Sequence, residues 1–375
     1  MSLHALTAPV VFDGTRLLAD HAVILDGGHI AALTPEAVLP AEMPRTPLDG
    51  LLAPGFVDLQ VNGGGGLMLN EAPTPETMAR IARAHAGLGT TTLLPTLITD
   101  TAGQTGAAIA AAVDAAGHVP GIGGLHLEGP HLDPRRAGAH DPALIRPMTD
   151  ADLAQLSDAA RRLPTLLITL APEAASAGQI AALRKAGAIV SLGHTGTCYD
   201  TARGAEAAGA TMVTHLFNAM SPLGHRAPGL VGAALDGQSW AGIIADGVHV
   251  HPAALRLACR AKPDRLFLVT DAMAPAGTDL DSFTLNGREI RRTDGRLTLA
   301  DGTLAGADLD LPRALRLVRA LGLSLEETLA MATSRPADAI GRRDIGRLAA
   351  GAGADLVHLS DDLDLLGTWQ RGAPV

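Results

Sequence analysis

The feature that most constrains the fold is an alternation. Eight short apolar runs recur between residues 55 and 271, at 55–61, 91–96, 122–127, 166–170, 188–194, 211–216, 241–246 and 266–271. Ala-rich stretches of helical character, such as 74–88, 150–163, 175–186, 200–208 and 252–260, separate most of them. Runs of this length read as strands, and a helix between two strands is a crossover that leaves them parallel. Eight such units close into a (β/α)8 TIM barrel; a doubly wound open sheet is the structural competitor.

The ends of the chain have another character. Residues 10–12, 22–25 and 29–33 read as short strands, with a hairpin signal at Asp26-Gly27-Gly28. The segment from 346 matches it, with strand candidates at 354–359 and 367–369. Neither end is long enough for a good core of its own. The expected organisation is therefore a β-sandwich formed by 1–52 and 346–375, flanking a barrel over 53–345.

Composition excludes several functions. A net charge of −10 repels nucleic acid and anionic membrane, and 2% aromatic residues leave no base-stacking platform. No apolar run approaches the roughly 20 residues that span a bilayer, and Met1–Leu6 lacks the basic and apolar regions of a signal peptide. Cys198 and Cys259 form no C-x-x-C pair and read as reduced thiols. A soluble, cytoplasmic protein is expected.

The chemistry gathers where the strands end. Glu128 closes the run Leu125-His126-Leu127, followed at once by Gly129-Pro130, which cannot continue a strand. A carboxylate there is costly unless its charge is compensated. Two later strands end on His194 and His215, and two more on Asp246 and Asp271. One carboxylate and two imidazoles at one level suit Zn2+ with a fourth position open to water. Asp271, not needed as a ligand, is a natural general base; orienting a ligand histidine is the plainer alternative. The loop after His215 carries Asn218 and Arg226, donors suited to an anion such as phosphate. His249, after Asp246, could also reach a substrate. Gly63–Gly66 could offer backbone N–H groups to an anion or could simply turn.

Taken together these motifs resemble the N-acetylglucosamine-6-phosphate deacetylases of the amidohydrolase superfamily. The resemblance rests on Pro54-Gly55-Phe56-Val57-Asp58, His126-Leu127-Glu128-Gly129-Pro130, Ser191-Leu192-Gly193-His194-Thr195 and Thr214-His215-Leu216-Phe217-Asn218-Ala219-Met220. Further matches are 242–249, 268–272, 301–306, 331–333 and Pro336-Ala337, so the motifs span nearly the whole chain in order. It implies one divalent metal per subunit on Glu128, His194 and His215: zinc in first place, with Fe2+, Co2+ or Mn2+ as alternatives. It implies Asp271 as catalytic acid and base, and His140 as polariser of the acetyl carbonyl. Asn218, Ala219, His249 and Arg226 would hold the sugar phosphate. Arg226 would come from the neighbouring subunit, which implies a homodimer. The reaction would release acetate from N-acetylglucosamine 6-phosphate, in amino-sugar catabolism or recycling. A different N-acyl amino sugar phosphate, a cyclic amide, or a catalytically inactive sugar-phosphate binder are the alternatives.

Two positions depart from relatives. Many carry H-x-H after the first barrel strand where this chain has Gln60-Val61-Asn62. An amide is a poor ligand beside imidazole, so a single metal is expected. Many also carry Ser and Thr after Gly306, where this chain has Ala307 and Asp308.

Overall fold

The structure is a computed structural model that describes residues 3–375. Eight parallel strands, Phe56–Val61, Thr90–Ile98, Leu125–Glu128, Leu166–Leu170, Ile189–Leu192, Ala210–Val213, Trp240–Ile243 and Leu266–Leu268, follow one another in sequence order around a barrel. Their pairing is parallel throughout, as helical crossovers demand. Nearly every strand residue is buried, since the interior and the helix layer cover both faces. Helices also occupy Ala102–His118 and Gly229–Asp236, two crossovers whose Ala- and Gly-rich sequences carry little amphipathic signal.

The first and last barrel strands meet at a seam that side chains help to close. Asp58 is fully buried, and its carboxylate accepts from the Thr270 hydroxyl at 2.5 Å and from the Thr270 backbone N–H at 3.2 Å. Burial pushes this carboxyl up to about 7, against the hydrogen bonds it receives. Beyond it, Asp271 N–H donates to Gln60 O and Asn62 N–H to Ala272 O. The seam thus delivers Gln60, Asn62 and Asp271 together to the rim where the strands end.

Both ends of the chain build one further sheet. His4–Phe12 pairs with Leu17–Asp26 and, in parallel, with Arg45–Pro47 and Leu51–Pro54. Leu356–Leu359 from the far end adds antiparallel to Leu51–Pro54. Leu6, Val23, Leu25, Ile30, Leu52 and Leu356 share a core distinct from that of the barrel. Neither terminal segment holds enough apolar surface to fold alone, so the two are joined by this core.

One element lies outside the sequence reading. Residues 282–307, left unassigned there, form a four-stranded antiparallel sheet of Ser282–Leu285, Arg288–Thr293, Arg296–Thr298 and Leu304–Ala307. Its tight turns are Asn286-Gly287 and Asp294-Gly295, all four residues at positive φ. Those dipeptides are strong hairpin signals, and they were legible in the sequence. Asp308, which follows the sheet, pairs with Arg292 at 2.8 Å and so anchors the insertion.

Candidate active site

Strand ends bring Glu128, His194 and His215 into one buried cluster. Glu128 Oε1 lies 3.2 Å from His194 Nε2 and 3.1 Å from His215 Nε2, and the two imidazole nitrogens are 3.0 Å apart. His194 Nδ1 donates to Arg136 O at 2.8 Å, because a carbonyl can only accept, and this leaves the Nε2 lone pair facing the cluster. His215 Nδ1 is buried without a partner. Burial works to raise Glu128, but His194 and His215 outweigh it and hold the carboxyl well below its ordinary range. Donors about 2.0–2.1 Å from a tetrahedral zinc lie roughly 3.3 Å from one another. The three separations have that size, and the group can hold a divalent metal.

His194, His215 and Asp271 are all at positive φ, at 47°, 27° and 52°. Non-glycine residues occupy this region only where surrounding contacts fix it, and such strain concentrates at functional sites. Leaving extended geometry, each ends its strand and brings its side chain to the shared cluster.

Asp271 stands opposite Glu128, with two amides between them. Asn62 Nδ2 donates to Asp271 Oδ1 at 2.7 Å. Gln60 Nε2 donates to Asp271 Oδ1 at 3.1 Å and to both Glu128 oxygens at 3.2 Å. Where an H-x-H pair would offer lone pairs, this chain offers N–H groups that separate two carboxylates. Burial and the neighbouring Glu128 charge push Asp271 up to about 6.

His140 arrives from the loop after Glu128. The Thr99 backbone N–H donates to its Nδ1 at 3.3 Å, and the Thr99 hydroxyl lies 2.7 Å from the same nitrogen. Nδ1 is therefore the acceptor and Nε2 carries the proton, 3.9 Å from Glu128 Oε2. Burial and His194 push His140 down to about 3, so it is a neutral donor near pH 7. Arg288, from the inserted sheet, donates to the carbonyl of Ala139 next to it.

Asn62, Glu128, His140, His194, His215 and Asp271 line a cavity of about 240 Å3 at the C-terminal ends of the strands. Asn218, Ala219 and His249 also line it, and His249 Nδ1 is held by Asp246 at 2.5 Å. Arg226 does not: it is exposed on the 221–228 loop and makes no ion pair among the described residues. Thr303, Leu304 and Gly306 complete the wall from the inserted sheet. Sequence reasoning matched Thr303 and Leu304 within 301–306 but gave them no role, and it did not single out Arg288; the two hairpin signals would have found their sheet. The Gly63–Gly66 run is spent on structure. The N–H groups of Gly63, Gly65 and Gly66 bond to Ala272, Ala276 and Ala274 carbonyls, which removes the anion-binding reading.

Comparison with known proteins agrees with this geometry. The amidohydrolase family matches residues 51–374, and the NagA composite domain matches residues 3–52. An N-acetylgalactosamine-6-phosphate deacetylase from Shewanella sp. (strain ANA-3) is 42% identical over 97% of this chain and 95% of its own. An N-acetylglucosamine-6-phosphate deacetylase from Haemophilus influenzae is 35% identical over 98% of both chains. The crystal structure of N-acetylglucosamine-6-phosphate deacetylase from Pasteurella multocida superposes with a TM-score of 0.95, at 36% identity, covering 100% of this chain and 99% of that one. No helix among the described residues is long and apolar enough to cross a membrane.

Proposed function

The chain belongs to the amidohydrolase family, and on that premise we propose that it hydrolyses the acetamide of a 6-phosphorylated N-acetylhexosamine, N-acetylglucosamine 6-phosphate in first place. The products are acetate and glucosamine 6-phosphate, formed in the cytoplasm during amino-sugar use. The observation that carries this reading is the Glu128–His194–His215 cluster with Asp271 facing it across the Gln60 amide.

Glu128, His194 and His215 would hold a divalent ion, zinc before iron, cobalt or manganese, which would supply Lewis acidity to the site. Asp271 accepts the proton of the attacking water as the C–O bond forms. The His140 Nε2–H donates to the acetyl oxygen as charge develops there. Asp271 then returns its proton to the amine nitrogen as the C–N bond breaks. Asn218, Ala219 and His249 hold the sugar in the cavity. Arg226 of a second subunit binds the phosphate, which makes the working unit a homodimer; its exposure on a loop away from its own cavity supports that reading.

The test is acetate release by metal-replete protein from three compounds: N-acetylglucosamine 6-phosphate, its C4 epimer N-acetylgalactosamine 6-phosphate, and unphosphorylated N-acetylglucosamine. Turnover confined to the phosphorylated sugars supports the assignment, and equal turnover of the unphosphorylated sugar removes the phosphate site. The galactosamine epimer is the second reading, favoured by the Shewanella relative. Mixing Asp271→Asn subunits with Arg226→Ala subunits tests the dimer. Each mixed dimer regains one site with both groups, so activity returns; activity that stays at the level of the separate variants refutes the shared site.

A further inference from the structure

A second concavity opens at the opposite end of the barrel, where the strands begin. Its volume is about 640 Å3, within the range of small-molecule sites. The starts of the strands Ile189–Leu192, Ala210–Val213 and Trp240–Ile243 form its floor. Arg184, Arg203 and Arg265 line it, although the chain as a whole carries a net charge of −10.

These arginines are placed by the fold. The side chain of Arg184 passes over Gly209, where an added Cβ would stand 3.0 Å from its Cβ and Cγ. Arg203 passes over Gly237, where a Cβ would stand 2.5 Å from Nη1. Arg265 lies over the Trp240 ring at 5.3 Å. Of the two acids on the wall, Glu206 is engaged by Arg203, and Asp338 by Arg347 at 2.7 Å. Arg184 and Arg265 have no carboxylate partner among the described residues. Ser239 supplies an independent observation. It is only 6% exposed, it lines the concavity, and its Oγ has no hydrogen-bond partner. Buried hydroxyls without partners are uncommon, and a ligand oxygen would satisfy this one.

We propose that this concavity is a second ligand site, for a small phosphate-bearing anion. Guanidinium groups bind phosphate oxygens through paired hydrogen bonds, and two uncommitted ones share this wall with a hydroxyl. The site is at the end of the barrel away from the reaction, so its occupant acts on the stability or the rate of the protein without taking part in the chemistry. Inorganic phosphate and the phosphate of a small metabolite share the chemistry that the site reads.

Trp240 is a built-in reporter. The chain has two tryptophans, and Trp369 lies in the terminal sheet, so a Trp369→Phe protein leaves Trp240 alone in the emission. That metal-loaded protein is titrated with inorganic phosphate and with ribose 5-phosphate, by fluorescence and by calorimetry. A saturable change in Trp240 emission in the millimolar range or below is expected. Adding Arg184→Gln, which leaves the reporter and its stacked Arg265 in place, weakens binding about tenfold or more, with deacetylase turnover unchanged. Tighter binding of ribose 5-phosphate identifies a metabolite as the occupant; equal binding identifies phosphate itself. The proposal is overturned if sodium chloride at matched ionic strength gives the same response. It is equally overturned if emission does not saturate and the calorimetric curves of the two proteins coincide.

Discussion

Replacing Asn62 by alanine isolates what the amide clasp does to the proposed base. Asn62 Nδ2 donates to Asp271 Oδ1 at 2.7 Å, inside a buried site. A hydrogen bond to an ionised group is worth roughly 1.5–3 kcal/mol, and this one favours the carboxylate over the acid. One pKa unit corresponds to about 1.36 kcal/mol, so its loss raises Asp271 by about 1–2 units. The sign follows from the role. A base works only when ionised, and burial with the Glu128 charge already places Asp271 at about 6. Activity is lost as pH falls through the folded pKa, and Asn62→Ala moves that loss to higher pH. A cation on Glu128 cancels part of the charge that raises Asp271, so the wild-type limb lies at or below about pH 6. The comparison between variant and wild type retains the shift. The assay is kcat/KM for acetate release from pH 4.5 to 9, with metal content measured in both proteins. At the alkaline plateau the variant keeps most of its rate, since Gln60 still holds the carboxylate at 3.1 Å. An acid limb that stays in place while the rate falls equally at every pH would refute the reasoning.

Two further outcomes are expected. Arg288→Ala frees the Ala139 carbonyl beside His140; kcat falls about tenfold, as loss of a bond from a charged donor implies, while KM and metal content hold, and Arg288→Lys recovers part of the loss. Hydrogen bonds from Arg146, above all, hold the Asp152 carboxyl well below its ordinary range. That pair contributes stability in full above the unfolded value near 3.8 and loses it as pH falls further. Denaturant unfolding of Asp152→Asn should therefore show a flatter acid branch than wild type.

The barrel was legible because it is written in periods: a strand run, often an Ala-rich helix, and at five of the eight strand ends a polar residue. Glu128, His194 and His215 were legible for the same reason, since a charged or ligating group at the end of a buried strand needs a partner. Gln60 and Asn62 could be read only as missing ligands. Their work as donors depends on the seam between the first and last strands, which brings residues about 210 positions apart within hydrogen-bond reach. Arg288 was hidden differently, and Thr303 was read only as part of the 301–306 match. Their sheet is an insertion into the repeat, so reading by the period passed over Asn286-Gly287 and Asp294-Gly295.

The backbone at the strand ends was not legible at all, and it separates function from fold. His194 is held at φ 47°, where an L-residue pays about 1–2 kcal/mol that glycine does not. Its carbonyl accepts from Asp133 N–H at 2.9 Å, and Thr195 N–H donates to Ala219 O at 3.1 Å, so the conformation is fixed on both sides. At an ordinary position alanine is more stable than glycine by roughly 0.5–1 kcal/mol. Here the order should reverse: both His194→Gly and His194→Ala lose the imidazole, but only glycine sheds the strain. Metal-free urea unfolding should place the glycine variant about 1 kcal/mol above the alanine variant. If alanine proves the more stable, the left-handed geometry carries no strain, and a histidine at this position is no costlier to the fold than any other residue. If glycine does, the residue is held there against the preference of its own backbone, and the imidazole is what the position is for.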